Sequence, residues 1–184
     1  MSKATPALDA RRFRDTLGMF ATGVAVVVAR ASDTIHAMTV NAVSSVSLDP
    51  MLVLFCPGQA TRLAQQVQQI SGFTLNFLRR EQQALSTYFA GGWREATPPP
   101  YRFVPSRSAL RLEGSLASID CEIERVMDGG DHWLVLGRVV HVHTGVQLHD
   151  PLLFYKGKYR GMDSSDSAPA PDLTNAHEVP FHFY

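Results

Sequence analysis

The sequence lacks a long apolar run. Its longest, VAVVVA at residues 24–29, is far shorter than the roughly 20 residues that a membrane-spanning helix needs. The first fifteen residues, MSKATPALDARRFRD, carry charge but no apolar core followed by a cleavage site, which is not the pattern of a secretory signal. We therefore expect neither a membrane partner nor export.

The sequence also has no excess of positive or negative charge. The 17 basic and 17 acidic residues cancel, so the chain has no electrostatic footprint for nucleic acid or for an anionic membrane surface. This balance favours a small molecule or another protein as the partner.

Cysteine is scarce. Cys56 and Cys121 each lie in an apolar, strand-like run, and no secretory context accompanies them. Two reduced, buried thiols are therefore expected rather than a disulfide, which predicts a cytoplasmic protein.

Motifs of the common catalytic classes are absent. The sequence contains no G-x-S-x-G, H-E-x-x-H or C-x-x-C, no P-loop lysine motif and no G-x-G-x-x-G after a strand. No hydrolase grouping stands out, and the chemistry must be sought in less specific patterns.

The 184 residues, 45% of them hydrophobic, predict one medium-sized domain. A first helix is expected from Asp9 as its cap to an exit at Gly23, because Phe13, Leu17 and Phe20 recur at helical spacing. Two further helices follow Thr61 and Arg79, and the proline-containing segment 93–108 is expected to be a loop that serves as a lid or an interface. Strands are expected at residues 24–30, 35–40, 44–48, 51–56, 73–78, 115–126, 133–142 and 152–155. Short strands with tight turns indicate a mainly β, antiparallel sheet or barrel with peripheral helices.

Small and hydroxylated side chains are concentrated in MTVNAVSSVSLDP, residues 38–50. If the strand runs straight through, Asn41, Val43, Ser45 and Ser47 share one face. Such a face leaves the backbone open to a ligand edge and offers hydroxyls to a phosphate or ribityl chain. A solvated edge strand with ordinary turn serines is the alternative.

Three other patterns admit a ligand or an ordinary structural role. In DGGDHW, Asp131 would favour the charged form of His132 and suit it to holding an anion or amide, unless the pair only closes a hairpin turn. Thr61 and Arg62 begin a helix and could bind an anion. YKGKY could add positive charge or stacking, or could equally be a hairpin with Gly157 at its turn and exposed lysines. A metal site is compatible with the spacing of His141, His143 and His149. A half-exposed strand is the favoured interpretation of these histidines.

Together these segments resemble the short-chain flavin reductase family, the FMN-binding split-barrel proteins. The resemblance covers nearly all of residues 10–160. It rests on FRDTLGMFATGVAVVVA, MTVNAVSSVSLDPMLVLFC, SGFTLNFL, YFAG, LEGSLASIDCEI, GDHWLVLGRVV and PLLFYKGKY, in this order. It implies a six-stranded antiparallel Greek-key split β-barrel with peripheral helices, assembled as a homodimer. Residues 1–9 would then be an N-terminal extension and residues 161–184 a polar and aromatic tail of unknown role.

The same resemblance implies site residues. The isoalloxazine edge of FMN, or of FAD as the alternative flavin, would lie along Thr39, Asn41, Ala42, Val43, Ser44 and Ser45, mainly against backbone groups. Ser47, Thr61 and Arg62 would hold the ribityl or phosphate end, Cys56 would lie close to the flavin, His132 would approach the nicotinamide, and Tyr155 would border that pocket.

The implied activity is hydride transfer from nicotinamide C4 to flavin N5, with NADH favoured over NADPH and the cofactors supplying the reactivity. Reduced flavin would pass to a separate monooxygenase component. The alternative is a flavin-binding electron carrier or sensor on the same barrel, since fold does not imply function. An open slot over the flavin would favour the reductase, and a pocket sealed by the C-terminal aromatics would favour the carrier.

Overall fold

Strands dominate the structure, a computed structural model that describes residues 9–145 and 149–162. The α-helices are α1 (Ala10–Leu17), α2 (Arg62–Gln65) and α3 (Gln83–Phe89), and 3-10 turns occupy Val67–Gln69 and Arg80–Gln82. The strands are β1 (Thr22–Gly23), β2 (Ala25–Ala31), β3 (Thr34–Val40), β4 (Val43–Leu48), β5 (Met51–Phe55), β6 (Gly72–Phe77), β7 (Phe103–Pro105), β8 (Leu110–Leu112), β9 (Ala117–Asp128), β10 (Trp133–Thr144), β11 (Leu153–Tyr155) and β12 (Lys158–Arg160). The prediction of a mainly β chain with few helices is confirmed.

Seven strands form the main sheet in the order β3-β2-β6-β9-β10-β5-β4, and every neighbouring pair is antiparallel. Among the described residues the two edge strands, β3 and β4, do not pair with each other, so hydrogen bonds do not close the sheet. The predicted six-stranded barrel is therefore corrected to a seven-stranded sheet that is not closed. A three-stranded sheet, β1-β11-β12, and the hairpin β7-β8 complete the fold.

The chain connectivity nevertheless curls this sheet strongly. Only Asn41 and Ala42 join the end of β3 to the start of β4, a span of at most about 11 Å. The outer strands of a flat seven-stranded sheet would lie about 29 Å apart. The two edges must therefore approach each other at this end, and we call the gap between them the split.

Apolar side chains fill the inside of the curl. Phe55 on β5 and Phe73 on β6 are fully buried, and their ring centroids lie 4.8 Å apart although two strands separate β5 from β6 in the sheet. This contact across the interior is possible because the sheet curves. Residues from the α2 region, including Leu63 and Val67, join the same core.

A second core covers the outer face of β2. Val26 and Val28 pack there with Leu85 of α3, Leu112 of β8 and Leu152 before β11. Because both faces of β2 are covered, Val26, Val27 and Val28 are all fully buried. The run VAVVVA thus belongs to a strand buried on both sides.

Helix α1 differs from the prediction in two ways. Asp9 caps it as expected, accepting a hydrogen bond from the Arg12 amide at 2.7 Å, but the helix ends at Leu17 rather than near Gly23. Its apolar side chains are not covered by the described residues, since Phe13 and Leu17 are 55% and 56% exposed. The amphipathic pattern therefore marks a face that the described residues leave open. All three α-helices are eight residues or shorter, and no helix in the described residues could cross a membrane.

The predicted segment boundaries at the termini lie largely outside the described residues. Of the extension at residues 1–9 only Asp9 is described, and of the tail at 161–184 only Gly161 and Met162. The C-terminal aromatics that would distinguish an open from a sealed pocket are also outside the described part.

Candidate functional site

The split brings the small, hydroxylated stretch to the centre of the site. Asn41 and Ala42 are exposed there, where the chain leaves one sheet edge and enters the other. Asn41 Nδ2 donates to Thr22 Oγ1 at 3.2 Å, and the Ala42 carbonyl accepts the Cys56 amide at 3.1 Å. These bonds fix the connection between a three-stranded sheet on one side and the end of β5 on the other.

The loop after β5 lies against the turn that carries His132. The Gln59 amide donates to the Asp131 carbonyl at 2.9 Å and the Trp133 amide donates to the Pro57 carbonyl at 3.0 Å, while Gly58 pairs with His132. A backbone strip thus runs from Ala42 through residues 56–59 to residues 131–133. The structure brings together two motifs that are 90 residues apart in the sequence.

His132 stands at the exposed end of this strip, with 46% of its side chain accessible. Its Nδ1 lies 2.7 Å from Asp131 Oδ1, and its Nε2 has no hydrogen-bond partner among the described residues. The hydrogen bond from His132 lowers the pKa of the Asp131 carboxyl, so Asp131 is ionised at neutral pH. Because Nδ1 is held by Asp131, Nε2 is the ring atom that can reach a ligand.

Thr61 and Arg62 begin α2 as predicted. Thr61 Oγ1 accepts the Ala64 amide at 3.3 Å, donates to the Gly58 carbonyl at 2.8 Å and lies 3.8 Å from Met38 Sδ. These contacts hold the loop next to β3. The Arg62 side chain is exposed and forms no ion pair within the described residues, so its charge is available to an anion.

The serines of β4 lie on an edge strand, which pairs with β5 on one side and with no other strand of the described residues on the other side. Ser44 and Ser45 are exposed and Ser47 is half-buried. A bulge lies between Ser45 and Ser47, since Ser45 faces Val53 whereas Ser47 faces the next residue, Leu52. Ser47 therefore does not share the face of Val43 and Ser45, as a straight strand would require.

Thr39 and Tyr155 lie at the site without belonging to the backbone strip. The Thr39 hydroxyl donates to the Ser86 carbonyl at 2.7 Å and so holds α3 against β3. Tyr155, in β11, is half-buried, and the Lys156 ammonium lies 5.3 Å from the centroid of its ring. The predicted hairpin at YKGKY is confirmed as β11-β12, with Lys156 and Gly157 at φ of 48° and 72° in its turn.

A groove of about 910 Å³ opens beside the split. Asn41, Ala42 and Val43 form one wall, and the other walls come from the end of α1 and from the β11-β12 hairpin. The groove-lining side chains that the sequence interpretation missed include Arg14, Phe20, Phe154 and Lys156. The YKGKY hairpin was the one local signal that pointed towards them.

The histidines of β10 have other partners. His143 Nε2 lies 2.9 Å from the buried carboxylate of Asp120 and 3.0 Å from Ser106 Oγ, and its ring packs edge-on against that of His141. Ser106 Oγ donates to the same carboxylate oxygen at 2.6 Å. This cluster attaches the β7-β8 connection to the sheet, and no group of three metal-binding side chains occurs among the described residues.

Both cysteines are free thiols, as predicted; Cys121 is buried, whereas Cys56 is only half-buried. Burial, reinforced by the charge of Asp120, raises the pKa of the Cys121 thiol to about 12, and burial raises the pKa of Cys56 as well. A raised thiol pKa favours the neutral form in the folded state. Its contribution to folding is complete below the ordinary thiol pKa of about 8.5 and is lost as the pH rises through that value towards 12.

We predict that Cys121 is inert to a thiol-specific aromatic disulfide reagent at pH 8 in the native protein. The remaining thiol, Cys56, should react slowly, and both should react at once in denaturant, because only the thiolate attacks. A Cys56→Ser variant isolates the Cys121 signal. Rapid labelling of that variant under native conditions would contradict the burial described above.

Comparison with known proteins agrees with this geometry. The family model described as "Flavin reductase like domain" matches residues 17–163. The chain is 36% identical over 177 residues to the reductase subunit HsaB of a flavin-dependent monooxygenase from Rhodococcus jostii (strain RHA1), covering 91% of this chain and 86% of that protein. It is 37% identical over 155 residues to the NADH-dependent FMN reductase AsuE2 of Streptomyces nodosus subsp. asukaensis, covering 80% and 82% of the two chains.

Among solved structures, the flavin reductase PheA2 in its native state superposes with a TM-score of 0.79 at 35% identity, covering 85% of this chain and 99% of that one. The family match spans most of the sequence. The chain belongs to the flavin reductase like domain family.

Proposed function

We propose that this chain is an NAD(P)H-dependent flavin reductase that supplies reduced flavin to a separate monooxygenase component. The observation that carries the proposal is the backbone strip at the split, which links Ala42, the loop after β5 and the turn of His132 and borders an open groove at Asn41, Ala42 and Val43. The relatives point the same way, since one is named as a reductase subunit of a flavin-dependent monooxygenase and another as an NADH-dependent FMN reductase.

The residues at the split fit a flavin. Asn41 and Ala42 are exposed and small enough for a flat ring to lie against their backbone, and the unpaired side of β4 offers amide and carbonyl groups to the ring edge, with Val43, Ser44 and Ser45 in this strand. Thr39 would contribute through its backbone, because its hydroxyl already bonds to Ser86. Cys56 adjoins the same strip as a neutral thiol.

The phosphate end has matching donors. Arg62 offers an exposed guanidinium, which binds phosphate through paired hydrogen bonds. Thr61 is held beside it by the Gly58 carbonyl, and the Ser47 hydroxyl lies further along β4. We assign these three side chains to the ribityl and phosphate groups of FMN, with FAD as a possible second flavin.

The two cofactors, when bound, supply the hydride chemistry. This chain aligns them and excludes water. His132, fixed by Asp131, would use Nε2 to hold the carboxamide of the nicotinamide, and Tyr155 would border that pocket from the hairpin. NADH is favoured because the FMN reductase relative is named as NADH-dependent.

Assembly and compartment are also proposals. Phe13 and Leu17 of α1 and Met19 and Phe20 after it are exposed among the described residues, and Leu17, Met19 and Phe20 line the groove. This apolar surface suits a second copy of this chain, which supports a homodimer with the flavin near its interface. A curled seven-stranded sheet with a split would then be this chain's version of the split barrel. Two unpaired cysteines suit a reducing compartment and support the cytoplasm.

Anaerobic stopped-flow absorbance tests the activity. Purified protein loaded with FMN is mixed separately with NADH and with NADPH, and rapid bleaching of the flavin band with NADH is expected. A flavin that binds yet stays oxidised with both nucleotides would contradict the reductase proposal and leave the electron carrier or sensor as the function.

A further inference from the structure

The turn that carries His132 is held on its two sides by different contacts. On one side, the Asp131 carbonyl and the Trp133 amide bond to the loop after β5. On the other side lie Gly129 and Gly130, which are exposed and have no side chains. The geometry of that second side therefore depends on hydrogen bonds within the turn itself.

Asp128, the last residue of β9, makes the one side-chain hydrogen bond to this pair of glycines among the described residues. Its Oδ1 accepts the Gly130 amide at 2.9 Å, while the Gly129 amide donates to the His132 carbonyl at 2.9 Å. An aspartate that accepts an amide two residues further on forms an Asx turn, which fixes a local bend of the backbone. The bend includes Gly130 at a φ of 87°, a left-handed conformation that suits glycine.

Two adjacent glycines make this hydrogen bond consequential. A fixed glycine loses more backbone freedom than any other residue, so Gly129 and Gly130 would sample several conformations without a partner. A side chain at position 129 would be crowded, because a Cβ there would lie 3.0 Å from the His132 carbonyl oxygen and 3.1 Å from Leu134 Cγ. The turn therefore requires a flexible residue at this point, and the Asp128 carboxylate restricts that flexibility.

The position of the His132 ring follows from the backbone of this turn. The side chain is 46% accessible, so packing alone does not fix the ring. A Cβ at Gly58 would lie 3.5 Å from Nε2, which shows that the loop after β5 leaves room on that side of the ring. Because the Nδ1 contact comes from the neighbouring Asp131, a change in the turn would move both side chains together.

We propose that Asp128 is a positioning residue for flavin reduction, which fixes the turn that presents His132 to the nicotinamide. It acts through His132 and touches neither cofactor itself. The inference rests on the proposed function and deepens it, because it assigns a role to an exposed carboxylate four positions before the histidine. Its effect is confined to the reaction with NADH and does not extend to FMN binding.

Anaerobic single-turnover kinetics with FMN-loaded protein and NADH tests this role. We expect Asp128→Ala to lower the ratio of the reduction rate constant to the NADH dissociation constant about threefold to tenfold, because one hydrogen bond of the turn is lost. The dissociation constant of FMN should change by less than about twofold. Asp128→Asn should restore the native ratio, since its Oδ1 accepts the same amide, and Asp128→Ser, which forms such a turn more weakly, should lie between.

Asp33→Ala is the matched control. Asp33 is an exposed aspartate in the turn between β2 and β3, so its replacement removes the same charge from a different hairpin. The ratio for this variant should stay within about twofold of the native value. Circular dichroism and thermal unfolding of every variant establish the native fold before the kinetics are compared.

Two further measurements separate positioning from a general structural role. In the His132→Ala background, Asp128→Ala should change the ratio by less than about twofold, because the group that it positions is absent. Hydrogen exchange of the segment 127–134 reports on the turn without turnover. Asp128→Ala should speed exchange there, and Asp128→Asn should not.

An unchanged ratio in Asp128→Ala would overturn the inference, as would an effect of equal size in the His132→Ala background. A loss that Asp128→Asn does not recover would assign the effect to the charge and overturn it as well. A native protein that never reduces the flavin overturns the proposed function and the inference with it. Native reduction with an additive Asp128 effect overturns the inference alone, so the two failures are distinguished.

Discussion

Replacing His132 by alanine should slow flavin reduction by NADH about tenfold to one hundredfold while the dissociation constant of FMN changes by less than about threefold. The alanine removes the ring whose Nε2 is directed outward by the Nδ1 contact with Asp131 at 2.7 Å. Loss of one positioning hydrogen bond corresponds to about 1.4–2.7 kcal/mol of barrier. The flavin itself is assigned to other residues, so its affinity should persist.

Anaerobic single-turnover kinetics provides the measurement, with FMN affinity followed by fluorescence. His132→Gln should recover part of the rate, because its side-chain amide places a donor and an acceptor near the position of Nε2. His141→Ala is the matched control, since His141 is an exposed histidine on β10, nine residues from His132, that makes its ring contact with His143. Equal rates for His132→Ala and the native protein would remove His132 from the nicotinamide site.

Local sequence patterns were sufficient for most strands. The runs around Val24–Arg30 and Ile35–Val40, for example, differ from β2 and β3 by only a residue at some ends, because β-branched residues bounded by turn signals leave few alternatives. The segment 93–108 shows the limit of this reasoning. Its prolines indicated a loop, yet β7 forms within it by pairing with β8, and such a short strand is stabilised by its partner rather than by its own composition.

The curl of the sheet could not be deduced from patterns in single strands. It follows from the two-residue connection between β3 and β4 together with a strand order that places these strands at opposite edges. Strand order depends on long-range pairing, which periodicity does not encode. The packing of α1 could not be deduced either. Phe13 and Leu17 define an apolar face, but their spacing does not show which surface packs against that face.

The site was predictable in parts. The hydroxylated stretch and the Asp131–His132 pair were each recognisable as candidate ligand residues, but only the family resemblance joined them, and the roles assigned to them remain predictions. Arg14 and Lys156 lie 142 positions apart in the sequence, and each has the ordinary appearance of a surface cation. Their common groove is a property of the tertiary structure alone.

Replacing Asn76 by leucine should lower the free energy of unfolding by about 3–5 kcal/mol, the largest stability effect that we expect from a single polar side chain here. Asn76 is fully buried in β6, and its amide joins three other strands. Nδ2 donates to the Val26 carbonyl at 3.0 Å, while Oδ1 accepts the Leu112 amide at 2.8 Å and the Ser118 hydroxyl at 2.9 Å. Leucine has a similar size but would leave these buried groups without a partner.

A double-mutant cycle keeps this prediction testable even if Asn76→Leu does not fold. Ser118→Ala alone removes one of these partners and should cost about 1 kcal/mol in urea unfolding, with an unchanged m-value. In the Ser118→Ala background, Asn76→Ala should cost less than it does in the native background, because one partner is already absent. Strict additivity would show that the Asn76–Ser118 bond contributes nothing. Since the Leu112 bond holds β8 against the outer face of the sheet, the Asn76 variants should also increase amide exchange in β8 before that in the centre of β9.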